Sequence, residues 1–361
     1  MQLKLRASEL PLKQVLLIAP FFLWGTAMVA MKGVIPHTTP LFMAGVRLIP
    51  AGVLILIVAA LMDRPQPKGW TAWLWIVLFA VVDGTLFQGF LAEGLVRTDA
   101  GLGSVMIDSQ PLAVALLSLW LFQEHIGLWG WLGLGLGVTG ISLIGFPDEF
   151  ILGFFSSGTI PHSLLATPQS LLESGEWLML LAALSMAVGT VLIRFVSRHA
   201  DPVAATGWHM ILGGLPLWGI SSVAEFHQVQ NIIPSDWLAL SYATVFGSAI
   251  AYGLFFYFAS SGNLTSLSSL TFLTPVFALL FGNWLLQEVL SPLQWVGVCL
   301  TLVSIYLINQ RETLAGTRNK LVANENNTTQ KLPILESSSS KLNTVNSVTV
   351  PLRESEPEVL P

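Results

Sequence analysis

Residues 104–133, SVMIDSQPLAVALLSLWLFQEHIGLWGWLG, and residues 268–297, SSLTFLTPVFALLFGNWLLQEVLSPLQWVG, are one motif written twice. A shift of 164 residues lays Ser104 on Ser268, Pro111 on Pro275 and Trp120 on Trp284. Without a gap it also carries Gln123-Glu124 onto Gln287-Glu288, Trp131 onto Trp295 and Gly133 onto Gly297. Beyond the motif the same shift aligns Trp73 with Trp237, Gly89 with Gly253 and Gly25-Thr26 with Gly189-Thr190. A shift of 162 residues serves another segment better, pairing Pro40 with Pro202, Gly45 with Gly207 and Gly52 with Gly214. Chance does not supply a gapless series of this length, so the chain is an internal duplication.

Both copies are too apolar for water. Of 361 residues, 53% are hydrophobic and 10% charged, and the mean hydropathy is +0.70. A soluble domain averages roughly 25% charged residues, so there is too little charge here to cover a solvated surface. A helix crossing the hydrocarbon layer needs about 20 mostly apolar residues. Ten stretches qualify: 14–32, 40–62, 72–94, 99–122, 127–146, 177–197, 203–223, 236–260, 264–287 and 292–310. The first follows Lys4, Arg6 and Lys13 as a secretory signal would, but apolar runs of the same size continue to residue 310, which favours a retained span. Five spans per copy is an odd number, so the second copy enters the membrane upside down. The expected fold class is an all-α membrane protein of about ten transmembrane helices in two inverted five-helix repeats.

Lys and Arg set the orientation, because positive loops stay cytoplasmic. With the N-terminus inside, Lys4, Arg6, Lys13, Arg64, Lys68, Arg194, Arg198 and Arg311 fall on the cytoplasmic side and only Lys32 and Arg97 outside. The expected division is a cytoplasmic N-terminus at 1–13, a first repeat at 14–146, an external linker at 147–176, a second repeat at 177–310 and a disordered cytoplasmic tail at 311–361.

Several classes are disfavoured. No basic stripe suggests nucleic acid. The lone Cys299 excludes an intrachain disulfide and a cysteine metal site. No metal spacing of His-x-x-x-His type and no nucleotide loop appears, so neither a metal nor a cofactor is expected. The Gly-x-Gly run at 133–137 follows nothing strand-like and is not a phosphate loop, and Gly133, Gly137 and Gly140 read as surfaces for close helix packing. Pro111 and Pro275 fall inside spans four and nine, where each favours a kink. Glu124 and Glu288 stand just before spans five and ten, where a carboxylate suits the positive N-terminal end of the next helix.

The paired pattern of Pro111, Glu124 and Gly133 with Pro275, Glu288 and Gly297 resembles the signature of the EamA-type ten-helix permeases of the drug/metabolite transporter superfamily. The resemblance covers roughly residues 14–310. It implies a carrier of a bacterial-type inner membrane, commonly an exporter of amino acids or other small metabolites. It also implies a central cavity lined by spans three, four, eight and nine. The matching residues are scaffold positions, so the resemblance names no ligand contacts.

Polar residues deep in the spans are sharper candidates, because a charge near the bilayer centre costs about 2.5–3.5 kcal/mol on insertion scales. Arg47, Asp83 and Asp108 lie near the midplane of spans two, three and four, and His209 occupies the place of Arg47 in the second copy. Gln88, Gln110, Tyr252 and Tyr257 extend the set, while Glu93 lies close to the surface. The acids have no counterparts: Asp83 aligns with Gly247 and Asp108 with Phe272. In one reading Asp83 or Asp108 carries a coupling proton or holds a cationic group of the substrate, and Arg47 pairs with an acid or with a substrate carboxylate. In the other, Arg47 and one Asp form a structural lock across spans two to four. His209 is either a packing residue or a titrating one.

A secondary transporter of small metabolites such as amino acids or amines, working by alternating access in a lipid bilayer, is the expected function, with export and proton coupling as its finer points. A single chain suffices for such a carrier, and nothing in the sequence sets the oligomeric state. Two alternatives stay open: an intramembrane enzyme using Asp83 and Asp108 as paired acids, and a channel or sensor.

Overall fold

The computed structural model describes residues 10–97, 106–145, 151, 175–286 and 291–329. No strand occurs among them. The first repeat holds α1 (Leu10–Lys32), α2 (Pro40–Leu61), α3 (Trp70–Arg97), α4 (Gln110–Phe122) and α5 (Gly127–Gly145). The second holds α6 (Gly175–Val196), α7 (Pro202–Ala224), α8 (Pro234–Ser261), α9 (Leu264–Ser269, Leu270–Phe272 and Leu273–Leu286) and α10 (Pro292–Thr329). Eight of these helices are long and apolar enough to cross a membrane. The other two are α4, of 13 residues, and α7, which has 23 residues but is less apolar, with Thr206 and His209 along it.

The duplication reaches into the irregularities. α3 loosens to a π-helix over Ala80–Phe87, and α8 does the same over Ala243–Ile250, within one residue of the equivalent position. π segments inside α-helices tend to mark functional sites. Asp83 sits on the first and Gly247 on the second. α4 and α9 are also broken at equivalent places: a turn at Asp108-Ser109 precedes Gln110–Phe122, and a 3₁₀ turn at Leu270–Phe272 precedes Leu273–Leu286. Pro111 and Pro275 stand at the start of the helix that follows each break, where a missing N–H is tolerated, rather than kinking a continuous helix.

Packing follows the same two-fold logic. α2 and α7 lie against each other along much of their length, α7 packs on the π segment of α3, and α2 packs on that of α8. Glycines permit these approaches. A Cβ on Gly52 would lie 2.6 Å from the carbonyl oxygen of Gly207, and one on Gly84 2.7 Å from the Cα of Gly213. In the α5–α10 pair, Gly133 and Gly140 face Ser304, Ile308, Thr301 and Gly297, and the Ser304 hydroxyl donates to the Gly133 carbonyl at 2.6 Å.

Glu124 departs from its expected role. Its carboxylate accepts from the backbone N–H groups of Leu264 and Thr265 at 3.1 and 3.2 Å, and it lies 3.4 Å from Arg194. It therefore caps α9, in the other repeat, instead of the helix that follows it in sequence. The helix N-terminus carries positive partial charge wherever it lies, and the fold brings that of α9 to Glu124. Glu225 does the corresponding work at the opposite end, accepting from Leu41 and Phe42 at the start of α2 at 2.9 and 3.0 Å.

Glu288, most of the 147–176 linker and nearly all of the N-terminal 1–13 lie outside the described residues. α10 runs on to Thr329, past the expected start of the disordered tail; residues 312–329 are rich in helix formers such as Glu312, Leu314, Ala315, Lys320, Leu321 and Ala323. Chain contacts divide the protein into Met1–Ala315, which contains the ten spans, and Gly316–Pro361, described as far as Thr329.

Candidate functional site: a cavity between the repeats

A cavity of roughly 880 Å³, its open mouth included, lies among α1, α2, α3, α8 and the breaks of α4 and α9. One face of α1 lines it with Trp24, Ala27, Met28 and Met31, spaced as one stripe of a helix. α3 lines it with Phe87, Gln88, Leu91, Ala92 and Leu95, the corresponding stripe beyond its π segment. Met28, Met31 and Leu95 lie toward the α1–α2 connection, and a smaller pocket sharing Met43, Ala92 and Leu95 continues to Thr38 and Pro40. Among the described residues, the lining of the cavity extends from mid-bundle toward that end. Toward the α2–α3 end the path is filled by Phe21, Phe79, Phe255, Phe256 and Ala259, all fully buried.

Two charged side chains line this apolar space. Arg47, on α2, donates from Nη2 to Oε1 of Gln88 at 3.1 Å, and its Nη1 lies 3.4 Å from the sulfur of Met31. Its Nε has no hydrogen-bond partner among the described residues. Gln88 in turn donates from Nε2 to the Tyr252 hydroxyl at 2.8 Å. Asp108 sits in the break before α4, 8% exposed, and makes no hydrogen bond or ion pair with any described residue. The proposed lock between Arg47 and an Asp is therefore not formed; the guanidinium turns to an amide and leaves donor capacity free beside the cavity.

Asp83 is placed differently. Its Oδ2 lies 3.1 Å from Nε2 of His209, and both side chains are 1% exposed. The close crossing of Gly84 on Gly213 brings α3 and α7 near enough for this contact, one turn before Gly213. His209 Nδ1 lies 2.6 Å from the carbonyl oxygen of Thr206, which only accepts, so Nδ1 carries a hydrogen. The contact between Nε2 and Oδ2 then needs one further proton, shared between imidazole and carboxyl. Such a pair is neutral overall, which suits the interior of a membrane. Phe79 stacks on the imidazole at 4.0 Å, and Phe256 meets it edge-on at 5.4 Å. The carboxyl itself fills the notch left by Gly189, where a Cβ would collide with it. Asp83 does not line the cavity that Asp108 faces, so the two acids do not form the catalytic pair considered from the sequence.

Of the remaining candidates, Gln110 is buried just beyond the cavity floor, donating to Thr190 at 3.3 Å and accepting from Thr271 at 3.2 Å, which ties α4 to α6 and α9. Tyr257 is 42% exposed on the outside of α8 and takes no part in the cavity. Glu93 pairs with Arg97 near the end of α3, as its surface position predicts. Sequence reasoning passed over the methionines: Met28, Met31, Met43 and Met186 form much of the wall. Unbranched, polarisable side chains of this kind adapt to ligands of different shape. Their signal, three methionines at 28, 31 and 43 flanking one connection, is visible only once the spans are folded together.

No group of three or more His, Cys, Asp or Glu able to hold a metal occurs among the described residues. Two inverted five-helix repeats around a mid-membrane cavity, with charged side chains in its wall, define a membrane transporter of the inverted-repeat class. The comparisons give the family. The EamA-like transporter family matches residues 12–146 and 173–310, one repeat each, and the chain belongs to it. The chain is 68% identical over 298 residues to the uncharacterized transporter sll0355 of Synechocystis, covering 82% of this chain and 90% of that one. It is 54% identical to the WAT1-related protein At3g02690, chloroplastic, of Arabidopsis thaliana, covering 82% and 69% respectively. It is 26% identical to the inner membrane transporter YedA of Escherichia coli, covering 81% and 89%. A solved crystal structure superposes with a TM-score of 0.66 at 15% identity, over 84% of this chain and 97% of that one; it bears on the fold alone. The protein is an integral, multi-pass membrane transporter.

Proposed function

We propose that the protein exports small metabolites carrying a carboxylate, an amine or both, amino acids among them, by alternating access across a bacterial-type inner membrane. The reading rests above all on the cavity that leads to one end of the bundle and is lined by Arg47 and Asp108 in an otherwise apolar wall. Guanidinium and carboxylate match the two ends of a zwitterion, and the methionine wall accommodates its side chain. The distribution of Lys and Arg supports a cytoplasmic location for both termini, and on that reading the cavity faces outward. Both walls of the cavity come from one chain, so a monomer is a complete carrier. The Asp83–His209 pair, holding one shared proton, is the site of proton coupling.

Reconstitution in liposomes tests this. Labelled amino acids and small amines are offered with and without an imposed pH gradient. Saturable flux that responds to the gradient is the expected result. Absence of flux across a broad panel, in protein that remains folded, would count against the carrier reading.

A further inference from the structure

The hydrogens along Arg47, Gln88 and Tyr252 can be assigned one by one. Arg47 only donates, so the Gln88 oxygen faces it at 3.1 Å and the Gln88 amide nitrogen faces the Tyr252 hydroxyl at 2.8 Å. An amide nitrogen does not accept, so the hydrogen in the second contact comes from Gln88 and the phenol oxygen receives it. The hydrogen of the Tyr252 hydroxyl therefore points away from Gln88. No further hydrogen bond of this hydroxyl occurs among the described residues.

Asp83 has the opposite deficit. Its Oδ2 holds His209, while its Oδ1 is buried with no hydrogen-bond partner among the described residues. A buried acceptor left without a donor is costly, as is a buried donor without an acceptor. The two groups share one neighbourhood. α7 packs both on the π segment of α3, which carries Asp83, and on the part of α8 that carries Tyr252. Phe256 lies 5.9 Å from the ring of Tyr252 and 5.4 Å from the imidazole of His209. Both Asp83 and Arg47 are near enough to the Tyr252 hydroxyl to act on it electrostatically. Around the carboxyl, α7 contributes the imidazole of His209 and α6 the bare backbone of Gly189, while Arg47 of α2 is turned to Gln88. Tyr252 lines the cavity and Asp83 does not.

We infer that the Tyr252 hydroxyl is the entry for the coupling proton, passing it from the cavity to Oδ1 of Asp83, so that solute and proton use the same mouth. This rests on the proton-coupled carrier reading above. Before the transfer the pair is an Asp83 carboxylate beside a neutral His209. The hydroxyl and Oδ1 are not in hydrogen-bond contact in this conformation, so the proton crosses on a water between them. The hydroxyl gives its hydrogen to that water, the water protonates Oδ1, and the phenol oxygen takes a proton from a hydronium ion on the cavity side. Tyr252 ends neutral, as it began, and the pair goes from one negative charge to none. Rotation of the new O–H toward Asp83 restores the starting arrangement.

Two substitutions separate this role from the support that Tyr252 gives to Gln88. Tyr252→Phe and Gln88→Leu both break the bond between them, but the first alone removes the hydroxyl. Each variant and the wild type are reconstituted in proteoliposomes with an entrapped pH dye. The probe is a labelled small amine without a carboxylate, offered at saturation so that the orientation of Arg47 does not enter, with and without an imposed pH gradient. Tyr252→Phe is expected to keep exchange of labelled for unlabelled amine at equal pH, and to lose both the acceleration by the gradient and the pH change linked to flux. Gln88→Leu is expected to keep all three. Should either variant fail to fold in the membrane, Tyr252→Leu and Gln88→Met make the same comparison. A full gradient response without the hydroxyl, or an equal loss of it in the Gln88 variant, overturns the route and leaves the carrier reading intact. A wild type that transports but ignores the gradient would remove proton coupling and the route together.

Discussion

Tyr252 stands one repeat length from Gln88 and accepts its amide hydrogen at 2.8 Å, while Gln88 accepts from Arg47 at 3.1 Å. The one charged side chain of α2 inside the cavity is thus held by a residue that is itself held by its own symmetry mate. Asp108 lines the cavity beside this relay, whereas the Asp83–His209 pair lies outside it.

Arg47→Met should weaken solutes with a carboxylate selectively. A hydrogen bond to a charged group contributes about 1.5–3 kcal/mol, corresponding to roughly a tenfold to hundredfold rise in KM. Amines lacking a carboxylate should be unaffected, and Asp108→Asn should show the converse selectivity. Concentration dependence of flux in proteoliposomes measures both. Equal losses for acids and amines in each variant would mean that the two side chains are structural.

Tyr252→Phe removes the hydroxyl that the Gln88 amide donates to, with nothing of polar character to replace it. Interhelical hydrogen bonds inside membranes average about 0.6 kcal/mol, so the fold should survive with a small drop in Tm. The functional effect should be larger than the stability effect, because Gln88 also orients Arg47. A KM for carboxylate solutes that stays at the wild-type value would show that Arg47 is positioned by other means.

Much of this arrangement could be read from the chain, and what could not has identifiable causes. The gapless pairing of Pro111 with Pro275 and Trp120 with Trp284 implied the inverted fold, and it extended to paired breaks at Asp108-Ser109 and Leu270–Phe272. Which face of a span meets the cavity was harder. Lipid is as apolar as a helix interior, so hydropathy does not separate the two. Tyr252 and Tyr257 illustrate it: five residues on one helix are about 140° apart around the axis, which puts one on the cavity and the other outside. The partner of Asp83 was equally hidden. His209 is 126 residues away, and only the contact of Gly84 with Gly213 brings it within reach. Glu124 was misassigned because its partners are backbone N–H groups, and nothing in a side-chain sequence marks where those will lie.

Asp83→Asn separates the proton from the contact. An Asn amide can still donate to Nε2 of His209 while Nδ1 donates to Thr206, so the pair stays bonded, but no carboxyl remains to exchange a proton. The variant should fold and catalyse exchange of labelled for unlabelled solute, yet no longer accelerate when a pH gradient is imposed. Replacement of Gly189 by Ala should give a different phenotype, since its Cβ would collide with the Asp83 side chain and lower stability outright. Retention of the full gradient response in Asp83→Asn would remove this pair from coupling.

Two glycines of α5 test the packing account, since they differ by two positions in one helix. A Cβ on Gly133 would lie 2.6 Å from Cγ1 of Ile308 and 3.0 Å from the carbonyl oxygen of Ser304, whereas one on Gly135 would meet nothing within 4 Å. Gly133→Ala should therefore separate α5 from α10 and strain the Ser304 bond, lowering stability by about 1–3 kcal/mol as overpacking does. Gly135→Ala adds a better helix former at an open position and should be neutral or stabilising by up to roughly 1 kcal/mol. Thermal unfolding of the two purified variants in detergent gives the comparison directly. Equal destabilisation would mean that α5 is limited by its surroundings in the bilayer and not by its contact with α10.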